Sequence, residues 1–125
     1  MILDTNALSA YADGVPAAVL AVDSGDSVEL PVIALGEYRF GVTQSRRRRE
    51  YEFWISKLLR LSVVLNVTDE TAQTYAEIRL ELKRAGTPIP ANDLWIAALC
   101  RQHALPILSR GRHFDAVKGL RRAAW

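Results

Sequence analysis

The chain has 125 residues, half of them apolar and 24% charged, with a formal net charge of +2. This fits one globular domain, residues 1–125, and excludes a disordered chain or a large assembly of domains; no apolar run approaches the roughly 20 residues of a membrane span. No leader pattern opens the chain, and Cys100 is the only cysteine, so the composition points to a reduced, cytoplasmic setting without an internal disulfide.

In chain order, Met1 to Leu3 reads as a buried strand ending at Asp4-Thr5-Asn6. Thr5 and Asn6 are good starters for a helix over Ala7 to Ala12. Gly14 and Pro16 punctuate, Ala17 to Val22 suits a second short helix, and Val28 to Leu30 a strand. Pro31 suits the first turn of a helix that runs through Glu37 towards Gly41. Arg46 to Arg60 is an amphipathic helix, because Tyr51, Trp54, Ile55, Leu58 and Leu59 follow the i, i+3, i+4, i+7, i+8 rule. Ser62 to Val67 is β-branched and apolar, which reads as a buried strand. Thr68 caps a long helix that stops at Gly86 and Pro88. Asn92 opens a helix apolar on nearly every side, and Cys100 within it reads as a small core residue. Leu105 to Leu108 is a strand, Ser109-Arg110-Gly111 a loop, His113 to Val117 a short turn, and Leu120 to Trp125 a last strand. Strands alternating with helices imply an α/β fold, a central, mostly parallel sheet flanked by helices in three layers.

In such sheets ligands bind at the carboxyl ends of the strands, which singles out three acids. Asp4 ends the first strand, where it could equally be a helix cap. Asp93 lies in the first turn of the apolar helix, where Asn92 could cap without it, and a charge entering a buried helix needs a partner. Glu37 is either a member of the same site or a solvent-facing residue paired with Arg39 or Arg60. Converging carboxylates repel one another without a cation, and hard oxygen ligands suit Mg²⁺ or Mn²⁺. Such an ion can activate water and neutralise charge on a phosphodiester. Arg46, Arg47, Arg48 and Arg49 form an unbroken basic run, and Arg110, Arg112, Lys118, Arg121 and Arg122 crowd the C-terminal end. These clusters suit a polyanion, although the Arg46–Arg49 run reads as well as a solvated helix face.

Ile2-Leu3-Asp4-Thr5-Asn6, then Glu37 in a helix, then Asp93-Leu94-Trp95-Ile96-Ala97-Ala98, then Ile107-Leu108-Ser109-Arg110-Gly111-Arg112-His113-Phe114 resembles a PIN domain, and in particular the VapC-type toxins. The resemblance implies a parallel sheet flanked by helices, Mg²⁺- or Mn²⁺-dependent endoribonuclease activity on RNA, a homodimer, and neutralisation by a cognate antitoxin protein. It implies that Asp4, Glu37 and Asp93 form the acidic site, that Asn6 supports the first aspartate, and that Ser109 supplies a hydroxyl. One position departs from the pattern. Such proteins usually carry an acidic residue two after the serine, where this chain has Gly111, and Asp115 is out of register to replace it. An aspartate at 111 is therefore expected to strengthen metal binding, at small cost if the loop needs no positive φ there.

The departure leaves a second reading open: a homologue impaired in cleavage that binds RNA or an antitoxin. Phosphotransfer through Asp4 as nucleophile is a further reading, but that chemistry looks for an aspartate two residues on, where Asn6 stands. His113 reads as a structural residue beside Phe114, and His103 as a partner for the C-terminal end of its helix. Trp54, Trp95 and Trp125 read as core or interface residues.

Overall fold

The computed structural model describes residues 1–125. Its strands are β1 (Ile2–Leu3), β2 (Glu29–Pro31), β3 (Val63–Leu65), β4 (Ile107–Leu108) and β5 (Arg122–Ala123). Its helices are α1 (Thr5–Ala12), α2 (Pro16–Asp23), α3 (Val32–Thr43), α4 (Arg48–Leu61), α5 (Asp69–Ala85) and α6 (Ala91–His103). A short 3₁₀ turn, Arg112–Ala116, follows β4. The strands form one sheet in the order β3-β2-β1-β4-β5, and every pairing is parallel.

Successive strand residues face opposite sides of a sheet, and the core divides accordingly. Ile2 and Ile107 pack with Ile78 and Leu82 of α5 and Ile96 and Leu99 of α6. Their chain neighbours Leu3 and Leu108 pack with Leu8 of α1, Leu35 and Tyr38 of α3, and Ile55 and Leu58 of α4. Helices thus cover both faces, giving the three layers expected of a parallel sheet. The chain winds from β1 through β2 to β3 on one side, then returns to β4 and β5 on the other. The crevice at the carboxyl ends of β1 and β4 is where such a reversal leaves room for a ligand.

Several boundaries differ from the sequence expectation for local reasons. α1 begins at Thr5, because Asp4 takes the cap. Pro31 closes β2 instead of entering the first turn; its backbone, φ −59° and ψ 134°, stands just outside α3. α4 begins at Arg48, which leaves Arg46 and Arg47 ahead of it. β3 is an edge strand, with Val63 58% exposed and only Leu65 buried, so its β-branched run does not mark a buried strand. α5 has the expected Thr68 cap, reinforced by a reciprocal bond from Thr71, and ends at Gly86 in the left-handed region. No helix is long and apolar enough to cross a membrane.

Candidate active site

Asp4 is the first residue past β1, and its N–H donates to the Leu108 carbonyl at the end of β4 (3.3 Å). With an extended ψ of 174° it turns its side chain onto the start of α1, where Oδ1 accepts from the Ala7 N–H at 2.8 Å. The other carboxylate oxygen accepts from the fully buried Ser109 hydroxyl. Ser109 Oγ in turn accepts from the Gly111 N–H at 2.9 Å. Asp4 thus caps α1 through one oxygen while it also lines the cleft at the strand ends, so the cap does not exclude it from a site there. Burial pushes its pKa above the ordinary aspartate value, against the lowering effect of the Ser109 and Ala7 bonds.

Glu37 projects from α3 and is exposed. Its Oε2 accepts from the Thr5 hydroxyl at 2.9 Å, and its Oε1 accepts from the Asn92 side-chain amide. It makes no ion pair with Arg39 or Arg60. Asn92 caps nothing: α6 follows Pro90 with no side-chain cap, and the Asn92 amide reaches across to α3. Asp93 is half-buried in the first turn of α6, with Oδ2 2.9 Å from His113 Nε2. Burial raises its pKa, His113 lowers it, and the charges of Asp4 and Glu37 raise it again.

Asp4, Thr5, Asn6, Glu37, Asn92 and Asp93 line one cleft of about 470 Å³. The charge of Glu37 adds to the burial that pushes Asp4 upward, and the charges of Asp4 and Glu37 add to the burial that pushes Asp93 upward. Their oxygens are the donor class that suits Mg²⁺ or Mn²⁺. As the side chains stand, each carboxylate is engaged by neighbours, and no group of three or more His, Cys, Asp or Glu side chains is set to hold a metal ion.

Other sequence candidates divide. Asn6 lines the cleft but makes no bond to Asp4, whose side-chain support comes from Ala7 and Ser109. The Arg110 guanidinium carbon sits over the Trp125 ring, 3.7 Å from its centroid, with Nε donating to the Trp125 carbonyl at 2.7 Å. Arg112 is exposed at the start of the 3₁₀ turn. In the basic run, Arg47 pairs with Glu50 and Arg48 with Glu52, while Arg46 and Arg49 are exposed. Sequence reasoning missed Thr5 and Asn92 as holders of Glu37. The available signal was adjacency, since one follows Asp4 and the other precedes Asp93. It also missed the bond from His113 to Asp93. His113 does pack beside Phe114 as expected, with ring centroids 4.7 Å apart.

At Gly111 the backbone condition is met: φ is −74°, open to any residue. The space is not free, however. A Cβ there would lie 2.9 Å from His113 Cε1 and 3.2 Å from Ser109 Oγ. An aspartate at 111 would thus displace His113 before it could add a donor, which corrects the expectation of a simple gain.

Residues 1–120 match the PIN domain family. Ribonuclease VapC5 of Mycobacterium tuberculosis (strain ATCC 25618 / H37Rv) is 32% identical over 99 residues, which cover 75% of this chain and 71% of the relative. Among solved structures, FitAcB from Neisseria gonorrhoeae superposes with a TM-score of 0.83 at 29% identity, covering 97% of this chain and 94% of that one. VapBC-5 from Mycobacterium tuberculosis, described as a member of the VapBC family of toxin–antitoxin systems, superposes with a TM-score of 0.72 at 27% identity, covering 98% and 94%. Sequence and fold agree over nearly the whole length, and the chain belongs to the PIN-domain family.

Proposed function

We propose that this protein is a Mg²⁺- or Mn²⁺-dependent endoribonuclease that acts in the cytoplasm as the toxin of a toxin–antitoxin pair. The observation that carries the reading is the meeting of Asp4, Glu37 and Asp93 in one cleft at the strand ends, where burial and the neighbouring carboxylates disfavour the bare charges of Asp4 and Asp93. Asp4, Glu37 and Asp93 would hold the ion, which when bound supplies charge neutralisation and water activation for phosphodiester hydrolysis. The protein's own groups prepare the site. Ala7 and Ser109 fix both oxygens of Asp4, Thr5 and Asn92 tie Glu37 between α1 and α6, and His113 holds one oxygen of Asp93. Arg110 and Arg112, on the chain that follows Ser109, would meet the RNA backbone. The ribonuclease name of VapC5 supports the activity, and the VapBC-5 description supports the pairing with an antitoxin. A homodimer belongs to the same reading.

The test is cleavage of a fluorescent RNA with Mn²⁺ or Mg²⁺, with and without EDTA. Cleavage is expected with metal and none with EDTA. Asp4→Asn and Asp93→Asn are expected to abolish cleavage with unchanged circular dichroism. Undiminished cleavage by either variant removes that residue from the mechanism, and RNA binding without cleavage by the wild type would favour an impaired, binding-only homologue. A cognate antitoxin is expected to lay an apolar segment on the domain and to bring a basic side chain to the acids, since an arginine can replace the ion's charge with bidentate bonds to a carboxylate.

A further inference from the structure

We propose that His113 is a positioning residue for Asp93, and that the absence of a side chain at position 111 is what admits it to the site. The inference rests on the nuclease reading above for its consequence, though not for its geometry.

Three observations converge. The imidazole leans at 36° against Phe114, which is 1% exposed and anchored in the core, so the ring has a firm backing. Its Nε2 then lies 2.9 Å from Asp93 Oδ2, within reach of an N–H···O bond to the half-buried carboxylate. And the ring's leading edge fills the space above Gly111: a Cβ there would meet Cε1 at 2.9 Å and Nε2 at 3.4 Å. Real Cβ contacts do not come as close as the first of these, so a side chain at 111 and the observed His113 position exclude each other.

The backbone does not explain the glycine. At φ −74° and ψ 101° any residue is unstrained. What position 111 must leave clear is the gap between two props of the acidic cleft. On one side Ser109 Oγ donates to Asp4, and on the other His113 holds Asp93. The pattern that the chain resembles has an acid at 111 as well as the histidine at 113; with glycine at 111 in this chain, the imidazole lies over that position and engages Asp93. A carboxylate bonded by an outer partner has fewer orientations to give up on binding an ion, and loss of such a partner commonly costs about 10–100-fold in metal affinity.

The test is a cycle of Gly111→Ala, His113→Ala and the double variant, with His113→Gln as the conservative replacement that keeps an N–H donor. The metal-free protein is followed through the ¹³C resonance of the Asp93 carboxyl, and Mn²⁺ affinity through calorimetry. Gly111→Ala and His113→Ala are each expected to move the Asp93 resonance in the same sense and to weaken Mn²⁺ binding by about 10–100-fold. The double variant is expected to be no worse than His113→Ala alone, because one contact has been removed twice, and His113→Gln to lie nearer the wild type. If Gly111→Ala fails to fold, His113→Ala in the same chain should restore folding, since the collision is with that ring. An unmoved Asp93 resonance in His113→Ala or in Gly111→Ala, losses that multiply in the double variant, or no restoration would each overturn the proposal. Absence of Mn²⁺ binding by the wild type would instead sink the nuclease reading, and the Asp93 resonance would still decide the role of His113.

Discussion

At Asp4 two donors, the Ala7 amide and the Ser109 hydroxyl, face a carboxylate that is only 6% exposed, and burial still outweighs them. The folded pKa is raised above the unfolded one, so the native state binds the proton more tightly and its charge costs stability at neutral pH. That cost vanishes below the ordinary aspartate range, where both states are protonated. Asp4→Asn keeps an equally good helix cap and removes the charge. In EDTA it is expected to melt no lower than the wild type at pH 7, with any advantage shrinking as the pH falls through and below the ordinary aspartate range. Thermal melts across that interval check this, and a lower melting temperature at pH 7 would mean that the two bonds outweigh burial. Ser109→Ala acts in the opposite direction. It strips one donor from Asp4 and the acceptor from the Gly111 N–H, and is expected to cost about 1–3 kcal/mol in urea unfolding. Asp4 and Asp93 could be singled out from the sequence by their places at a strand end and in the first turn of an apolar helix, although both places also suit a cap or the helix dipole. The partners of the acids could not be. Thr5 and Asn92 reach Glu37 only once α3, α1 and α6 have packed, and nothing in the local sequence encodes that meeting.

Helix ends divide between those that the sequence announces and those settled by packing. Thr68 announces itself, and its side chain accepts from Thr71 N–H while the Thr71 hydroxyl answers the Thr68 N–H. Thr71 also donates to Gln102 Oε1 at 2.6 Å, so the cap of α5 is tied to α6. Thr68→Ala is expected to cost about 1 kcal/mol, read from the denaturation midpoint. The end of α6 gave no such signal. Ala104 stands there at φ 53° and ψ 42°, a left-handed conformation that costs a residue with a Cβ roughly 1–2 kcal/mol. Ala104→Gly releases that strain and pays part of it back in unfolded-chain entropy. A net gain of about 0.5–1 kcal/mol is expected, and a loss would show that the alanine methyl packs in a way that matters more than its backbone. Strand burial was the least legible feature. The run Ser62 to Val67 has the composition of a central strand, yet β3 lies at the edge, because neighbour order in a sheet depends on where the crossovers land.

Over the whole molecule, alternation of strands and helices sufficed to expect a parallel, two-faced sheet, but not its order, which places β1 at the centre and puts the candidate site in the crevice beside β4. Charge is organised on the same plan. The net charge of +2 is too small to draw RNA by itself, so under the proposed function that task would fall to the arrangement of arginines. Much of the Arg46–Arg49 run is spent locally, on Glu50 and Glu52. Arg112 stands exposed beside His113, which touches Asp93, and makes no ion pair. Arg112→Glu is therefore expected to weaken RNA binding more than Arg47→Glu or Arg48→Glu. Each lost phosphate contact should also lower the slope of log affinity against log salt by about 0.7–0.9. Anisotropy titrations between 50 and 200 mM salt, made in the Asp93→Asn background to prevent cleavage, read both quantities. If reversal at Arg47 or Arg48 flattened the slope while Arg112→Glu left it unchanged, the RNA would run across the start of α4 and the loop after β4 would have no part in holding it.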